Sequence, residues 1–304
     1  MITWTIGAGG LLGSAIRRQC DEAFSGSDIA WSEPDAAHLA LRDDVRRFAS
    51  EAADGPWALI WAAGAATVST SPDCTSSELA ALTSLLTDLR AHLPRGAGAV
   101  FVTSSAGGVY AGAADPPFDS ATTPVPVSPY GELKLAQERT ATELLAGVCP
   151  LVIGRISNLY GPGQNLAKLQ GLISRLALAA ATMHPVNIFV SLDTIRDYVY
   201  VDDAAGAVLR LVDDAARHQP VAPTCAIIAS GEPTTIGQLI RTVNQVTKRK
   251  VPVALGSHAS AAGQVADLRL VPSDPATART PLPAGIRRVY LDILERLQEQ
   301  PLVG

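Results

Sequence analysis

A tyrosine and a lysine four residues apart could form a device for moving protons. Tyr130 and Lys134 begin and end the segment Tyr130-Gly-Glu-Leu-Lys134, and residues at this spacing lie on one face of a helix. An ammonium group beside a phenol stabilises the phenolate, so the pair could take up and return a proton near neutral pH. Ser105, at the end of an apolar segment upstream, could add a hydroxyl group. An exposed helical turn is the alternative, and the rest of the chain decides between the two.

A glycine-rich segment near the N-terminus could bind phosphate groups. Gly7-Ala-Gly-Gly10-Leu-Leu-Gly13 follows a strand predicted over Ile2–Ile6 and opens a helix predicted over Leu11–Phe24. Glycines let the backbone approach a pyrophosphate, and a helix N-terminus offers free N–H groups and a partial positive charge. A tight turn is the alternative, but the strand before it and the helix after it favour a dinucleotide-binding site.

The composition predicts a folded protein with a large core, in one large domain or two unequal ones. Of the 304 residues, 47% are apolar and 17% are charged. The formal net charge of −5 and the pI near 5.5 give no basic face of the kind that nucleic-acid binders carry. We therefore expect no nucleic-acid partner.

The sequence gives no sign of a membrane segment or a secretory leader. The chain runs from Met1 directly into a strand-like segment, and the apolar stretch 171–190 is interrupted before it reaches the roughly 20 apolar residues of a membrane span. We expect a cytoplasmic protein with no membrane partner and no metal site. The four cysteines are far apart and suit reduced, buried thiols: Cys20, Cys74, Cys149 and Cys225.

Strand and helix patterns alternate along the first two thirds of the chain. The second strand is predicted over Ile29–Trp31, and an amphipathic helix over residues 77–93 precedes an apolar strand at residues 99–102. A proline-rich loop at 115–129 leads into the helix that carries Tyr130. Such alternation predicts an α/β fold with a doubly wound parallel sheet covered by helices.

Five segments carry a family resemblance: GAGGLLG at 7–13, SSAGGVY at 104–110, SPYGELK at 128–134, RISNLYGPGQ at 155–164 and IRDYVYVDD at 195–203. In this order they resemble the NAD-dependent epimerase/dehydratase family of extended short-chain dehydrogenase/reductases, and among them UDP-glucose 4-epimerase-like proteins. The resemblance implies a Rossmann-type dinucleotide-binding domain over residues 1–164 and 191–230. It implies a smaller C-terminal substrate-binding domain over residues 165–190 and 231–304.

The resemblance also implies NAD as the cofactor and a set of residues that hold it. The implied set is Gly7, Gly10, Leu11, Leu12 and Gly13 at the pyrophosphate, Ala62, Ala63 and Gly64 beneath the ribose groups, Leu41, and Lys134 at the nicotinamide ribose. An acidic residue at the end of the second strand would favour NAD over NADP, and Glu33 could fill that place. Ser32, with Arg17 and Arg18 nearby in sequence, would instead allow NADP.

Tyr130 would then be the catalytic acid and base, with Lys134 beside it and Ser105 orienting the sugar hydroxyl. Counted back from Tyr110, however, the serine or threonine position of the family falls on Ala106, which has no hydroxyl group. The adjacent pair 107–108 consists of two glycines that could accommodate a shift of one residue. We therefore favour Ser105, and its neighbour Ser104 is the fallback.

The resemblance assigns Asn158 and Arg196 to the diphosphate of a nucleotide sugar, for which an arginine fork is well suited. An ion pair between Arg196 and its neighbour Asp197 is the alternative. A second diphosphate arginine is missing from its expected place near residue 263, and Arg269 is a displaced candidate.

The resemblance therefore implies an NAD(P)-dependent nucleotide-sugar epimerase that works by reversible hydride transfer at a sugar carbinol. An NAD(P)H-dependent keto-sugar reductase is the alternative, in which the same residues would catalyse a single hydride transfer in the reducing direction. A non-catalytic dinucleotide-binding sensor or scaffold is a third interpretation. A homodimer could form through helix 77–93 and the helix after Tyr130, although packing within the chain explains their apolar faces equally well.

Overall fold

The computed structural model describes residues 1–64, 72–166, 171–256, 265–274 and 279–299, with the backbone alone for 72–75. Within these ranges the strands are β1 (Ile2–Ile6), β2 (Glu22–Ala23), β3 (Trp57–Trp61), β4 (Gly98–Ser105), β5 (Leu151–Ile156), β6 (Asn158–Tyr160), β7 (Val186–Ile188), β8 (Ile195–Arg196), β9 (Tyr198–Tyr200), β10 (Thr224–Ile228), β11 (Thr234–Thr235) and β12 (Val253–Leu255). The helices are α1 (Leu11–Gln19), α2 (Pro34–Ala52), α3 (Pro72–Ala91), α4 (Ala106–Val109), α5 (Pro129–Leu145), α6 (Leu172–Thr182), α7 (Val201–His218), α8 (Ile236–Thr247) and α9 (Leu282–Glu299).

Six parallel strands of the described chain form the central sheet, in the order β10-β5-β4-β3-β1-β2. From β1 the chain first adds β2 on one side and then crosses back to add β3 on the other. The strand order therefore reverses at β1, and in open α/β sheets ligands bind at the carboxyl ends of the strands beside such a reversal.

Helices cover both faces of this sheet. All five residues of β3, Trp-Ala-Leu-Ile-Trp, are buried, as expected of a parallel strand with helices on both sides. Helices α1 and α7 pack on one face, and α2, α3 and α5 pack on the other. The predicted α/β class with a doubly wound parallel sheet is confirmed.

The C-terminal part of the chain adds a second group of elements. Helices α6, α8 and α9 pack against one another, and β7 pairs with β12 in a small parallel sheet. No helix of the described residues has both the length and the apolar character that a membrane crossing requires. Among the cysteines, Cys20, Cys149 and Cys225 are free thiols, and the side chain of Cys74 lies outside the described residues.

The path between β1 and β3 differs from the prediction. Helix α1 ends at Gln19 rather than Phe24, and β2 pairs with β1 through Glu22 and Ala23. Residues 29–31 form a turn instead of a strand, with the Trp31 amide donating to the Ile29 carbonyl. A short apolar run before a proline reads equally well as a strand or as the approach to a helix, and here the helix α2 begins directly afterwards.

Candidate active site

The turn between β1 and α1 can only be built with glycine at two positions. Gly7 has φ +89°, and a Cβ atom there would lie 2.5 Å from the Ala63 nitrogen. A Cβ atom on Gly13 would lie 2.2 Å from the Gly7 carbonyl oxygen. The turn thus packs directly on the segment that follows β3, and the two segments meet where the strand order reverses.

The N-terminus of α1 faces this turn with its backbone amides. Gly10 is the N-cap and has no side-chain cap, and the first intrahelical hydrogen bond runs from the Ser14 amide to the Gly10 carbonyl at 2.9 Å. The amides of Leu11, Leu12 and Gly13 precede that bond and are available to an anion. The Leu12 side chain is buried in the core, so its predicted contribution can come only from its backbone.

Two cavities meet at this turn. One of about 620 Å³ and one of about 440 Å³ are both lined by Gly7, Gly9 and Trp31. The larger cavity runs past residues 23–29, and the smaller one past Ala62, Ala63 and Gly64. Their sizes are within the usual range of ligand pockets, about 300 to 1,000 Å³. A glycine turn that a side chain would block, a helix N-terminus and an extended cleft together fit a dinucleotide.

Of the residues predicted to bear on the choice between NAD and NADP, only Arg17 lines one of the two cavities. Glu33 is the N-cap of α2, and neither it nor Ser32 lines either cavity. Leu41 lines the larger cavity but is only 1% exposed, as a core residue of α2. Because β2 ends at Ala23, the polar residues of the segment directly after this strand that line the larger cavity are Ser25, Ser27 and Asp28, and Arg17 from α1 and Asp44 from α2 line it as well.

The first turns of α5 carry the predicted proton-transfer pair. Ser128 is the N-cap of α5, and its hydroxyl accepts a hydrogen bond from the Gly131 amide at 3.2 Å. This cap starts the helix just before Tyr130, which places Lys134 one turn further along. The Lys134 Nζ atom lies 5.8 Å from the centre of the Tyr130 ring. The two side chains therefore share one face, as their spacing predicted.

Ser105 lies at the carboxyl end of β4, close to the start of α5. Its hydroxyl accepts a hydrogen bond from the Gly108 amide at 3.2 Å and caps α4. A Cβ atom on Gly108 would lie 3.2 Å from the Tyr130 ring, and one on Gly131 would lie 2.3 Å from the Gly108 carbonyl oxygen. This close glycine contact brings the end of β4 and Tyr130 together.

The fallback residue, Ser104, faces a different environment. Its hydroxyl donates to the Glu138 carboxylate at 2.5 Å in the protein interior, and Ala106 is fully buried. Successive strand residues point to opposite faces, so the Ser105 side chain leaves β4 on the other side. We therefore do not retain Ser104 as a substrate contact. Ser105 remains the candidate for the catalytic hydroxyl group.

A buried ion pair lies beneath this end of the sheet. Arg155 on β5 donates to both Glu138 oxygens at 3.0 and 2.7 Å, and it donates to the Tyr110 hydroxyl at 2.7 Å. Tyr110 in turn donates to the Asp119 carbonyl at 2.7 Å. Burial raises the pKa of Tyr110 above its usual value, against the opposing effect of Arg155. The network ties β5, α5 and the 110–119 segment together.

Sequence reasoning missed two residues that contact Lys134. Its ammonium group donates to the Glu78 carboxylate at 3.0 Å and to the Gln137 side-chain oxygen at 2.9 Å. The Gln137 amide group donates to the same Glu78 oxygen at 3.0 Å. Gln137 stands three residues after Lys134 on α5, which could have indicated the contact. Glu78 is 56 residues away in sequence, and no local pattern reveals the pairing.

The two residues predicted to bind a diphosphate lie on β6 and β8, and β6 pairs with β9, the strand that follows β8. The Asn158 side chain donates to the Asp197 carbonyl at 2.8 Å. Arg196 is buried, and its Nη1 atom donates to the carbonyls of Ile195 at 2.9 Å and Val265 at 2.6 Å. Burial lowers the pKa of this guanidinium. Both side chains thus fasten backbone segments in this structure.

Asp197 has partners other than Arg196. Its carboxylate accepts hydrogen bonds from the Ser230 amide at 2.9 Å, the Ser230 hydroxyl at 2.8 Å and the Gly231 amide at 2.7 Å. Among the described residues, the ion pair considered as an alternative role for Arg196 does not form. Asp197 instead holds the turn after β10.

Arg269 contacts Asp267 and the Pro116 carbonyl. Its guanidinium contacts both oxygens of Asp267 at 2.9 and 3.0 Å, and it donates to the Pro116 carbonyl at 3.3 Å. These contacts join segment 265–274 to the 110–119 segment. The structure therefore supplies a positioning role for Arg269 and no contact with Asn158 or Arg196.

Comparison with known proteins identifies the family of this chain. The model of the NAD dependent epimerase/dehydratase family matches residues 5–222, which span the glycine turn, Tyr130, Lys134, Asn158 and Arg196. The chain belongs to this family, and the resemblance seen in the five motifs is confirmed.

Two relatives are named for different activities. A dTDP-L-rhamnose 4-epimerase of Burkholderia thailandensis is 33% identical over 124 residues, 40% of this chain and 33% of that protein. A dTDP-4-dehydro-6-deoxyglucose reductase of Escherichia coli is 29% identical over 174 residues, 55% of this chain and 52% of that protein. The matched segments thus span about a third and about half of these relatives' own lengths.

Solved structures share the whole fold. The structure of MoeE5 in complex with UDP-glucose and NAD has a TM-score of 0.77 and 23% identity, and the match covers 97% of this chain and 99% of that one. The central sheet and the C-terminal group of elements both lie within this matched length.

Proposed function

We propose that this protein is an NAD-dependent nucleotide-sugar epimerase. The observation that carries the proposal is the meeting of the Tyr130–Lys134 pair with the glycine turn at one edge of the sheet, linked through Gly64 and Glu78. A Cβ atom on Gly64 would lie 3.3 Å from the carboxylate that binds Lys134. Family membership and the dTDP-sugar epimerase among the relatives support the substrate class.

The cofactor would lie in the two joined cavities. The amides of Leu11, Leu12 and Gly13 would hold its pyrophosphate, and Ala62 to Gly64 would support the ribose on the side of Lys134. Bound NAD supplies an acceptor for a hydride from the sugar carbon and returns that hydride later. We propose NAD rather than NADP, because Asp28 lines the larger cavity and can take the role first given to Glu33, although Arg17 lines the same cavity.

Tyr130 is the proposed acid and base. Its phenolate oxygen takes the hydroxyl proton of the sugar carbinol as the carbon–hydrogen bond breaks, which leaves a keto-sugar and a neutral phenol. The same phenol returns the proton when the carbon is reduced on its other face. The Lys134 ammonium stabilises the phenolate, and the Ser105 hydroxyl orients the sugar oxygen.

The nucleotide diphosphate is assigned to the far side of this site. We propose that Asn158 and Arg196 contact the diphosphate. Because the Arg196 guanidinium now donates a hydrogen bond to the Val265 carbonyl, the segment that begins at Val265 has to move aside first. Segments 165–190 and 231–304 would form the substrate-binding domain, and residues 1–164 and 191–230 would form the dinucleotide-binding domain.

We propose that the protein acts in the cytoplasm, as a homodimer that forms through α3 and α5.

A keto-sugar reductase is the second candidate. It is favoured by the reductase among the relatives, which matches a longer segment of this chain than the epimerase does. The same Tyr130 would act once, as the acid that protonates the reduced carbonyl oxygen. The two candidates differ in whether a reduced cofactor is consumed.

The test is to incubate the purified protein with UDP- and dTDP-hexoses, and with the corresponding keto-sugars plus NADH or NADPH, and to follow product stereochemistry and nicotinamide absorbance. An epimerase converts the sugar with NAD present and no added reductant. A reductase converts only the keto-sugar and consumes NADH or NADPH in equal amount. Cofactor binding without turnover, unchanged in Tyr130→Phe, would contradict both enzymes and leave the sensor or scaffold.

A further inference from the structure

Glu78 is a buried carboxylate that has no role in the proton transfer proposed for Tyr130 and Lys134. It lies on α3, and its side chain is 8% exposed while that of Lys134 is 6% exposed. Glu78, Gln137 and Lys134 form a closed ring of hydrogen bonds of 2.9 to 3.0 Å. The ring fixes the position of the ammonium group, since each of its three members contacts both of the others.

This carboxylate also faces the proposed cofactor site. Glu78 lines the cavity of about 440 Å³ together with Gly64 and the glycine turn. The Lys134 ammonium that it binds is the one that lies 5.8 Å from the Tyr130 ring centre. Glu78 therefore stands between the cavity and the group that acts on Tyr130.

We propose that Glu78 is a positioning residue that holds Lys134 and offsets its charge, and so sets the pH at which the Tyr130 phenolate forms. The proposal rests on the proposed role of Tyr130. One positive charge on Lys134 has to stabilise two anions, the Glu78 carboxylate and the phenolate. Charges a few ångströms apart interact strongly in a partly buried site, so removing the carboxylate charge makes the phenolate easier to form.

Other charged side chains of the described residues lie on α5, α2 and α3. The buried carboxylate of α5, Glu138, is paired with Arg155. A separate cavity along α2 and α3 is lined by Asp35, Arg42 and Asp88. Among the described residues, the titratable groups beside Glu78 are Lys134, which it binds, and His38, which lines the same cavity, and Tyr130 lies next to Lys134.

The key variant is Glu78→Gln, which keeps the shape and the acceptor oxygen but removes the charge. Glu132→Gln is the matched control, because it makes the same change at an exposed position on the helix of Lys134. In each protein, tyrosinate absorbance is followed against pH, and the titration of the same protein carrying Tyr130→Phe is subtracted. The difference reports Tyr130 whether or not a sugar is turned over.

In Glu78→Gln we expect the Tyr130-dependent signal to appear at a pH lower by on the order of one unit. Glu132→Gln should titrate like the wild type, and His38→Asn combined with Glu78→Gln should keep the shift. If the protein is active, its pH–activity profile should move in the same direction. A signal that stays in place in Glu78→Gln, or moves to higher pH, would overturn the proposal.

A second variant covers the case in which Glu78→Gln does not fold. Gln137→Glu adds a negative charge on the other side of Lys134 and should move the Tyr130 signal to higher pH; no movement would count against the proposal.

Energy transfer from tryptophan to bound NADH tests whether the cofactor occupies the cavity of about 440 Å³, since Trp31 and Trp61 both line it. A wild-type protein that binds NADH but converts no sugar would contradict the proposed enzyme. The tyrosinate titration would still test the proposed role of Glu78.

Discussion

A Cβ atom on Gly13 would lie 2.2 Å from the Gly7 carbonyl oxygen, so the first turn of α1 and the end of β1 touch backbone to backbone. We expect Gly13→Ala to destabilise the protein by about 1–3 kcal/mol, because the added methyl group has to displace main chain. Urea denaturation measures this change.

Gly9→Ala is the control for that variant. Gly9 lines both cavities, and a Cβ atom there would meet no protein atom within 4 Å. We expect its urea midpoint to match the wild type and its affinity for NAD to fall, because the methyl group would occupy the cofactor site. Full NAD affinity in Gly9→Ala would place the cofactor elsewhere.

The buried pair Glu138–Arg155 should be costly to break from one side only. Its side chains are 6% and 8% exposed, so Glu138→Leu leaves an unpaired charge inside the protein. We expect a loss of about 3–5 kcal/mol from the free energy of unfolding. The double variant Glu138→Leu with Arg155→Met should lose less than the two single variants together. Additive losses would show that the two residues do not act as a pair.

Asp197 should hold the turn after β10. The carboxylate is 1% exposed and accepts three hydrogen bonds from Ser230 and Gly231. Asp197→Ala leaves these donors unsatisfied and should cost about 1–3 kcal/mol. The exposed Asp193→Ala, on the segment before β8, should be close to neutral in the same denaturation experiment. Equal effects of the two substitutions would contradict this role.

Stability should fall at alkaline pH. Burial raises the pKa of the Cys149 thiol from 9.0 to about 12, and burial also raises the pKa of Tyr198. The folded state then keeps protons that the unfolded chain releases, so this stabilisation is complete below pH 9.0 and is lost as the pH rises towards 12. Urea midpoints in this range should decline, and less steeply in Cys149→Ala. An equal decline in both proteins would exclude a contribution from Cys149.

Local patterns predicted the parts of the site that are local. The glycine turn, the strand Ile2–Ile6 and the shared face of Tyr130 and Lys134 each depend on neighbours in sequence, and the structure agrees with the prediction in each case. The choice between Ser104 and Ser105 was different. This choice depends on which face of β4 packs against the Glu138–Arg155 pair. The packing of distant segments decides that, and local sequence does not show it.

Long-range contacts explain the remaining differences. Glu33 was placed at the ribose because the second strand was assigned to Ile29–Trp31, whereas the strand that pairs with β1 ends at Ala23. The contact of Glu78 with Lys134 joins α3 to α5 across 56 residues. The burial of Arg196 against Val265 likewise depends on how a distant segment folds back, which spacing within a motif does not encode.

The central claim is that Tyr130 moves a proton while a hydride leaves the sugar. The direct measurement follows nicotinamide absorbance after a UDP- or dTDP-hexose is mixed with the NAD-loaded protein, in the wild type and in Tyr130→Phe. We predict a sugar-dependent signal in the wild type and a rate about 10²–10⁴-fold lower in Tyr130→Phe, with NAD affinity retained. Equal rates in the two proteins would contradict the account.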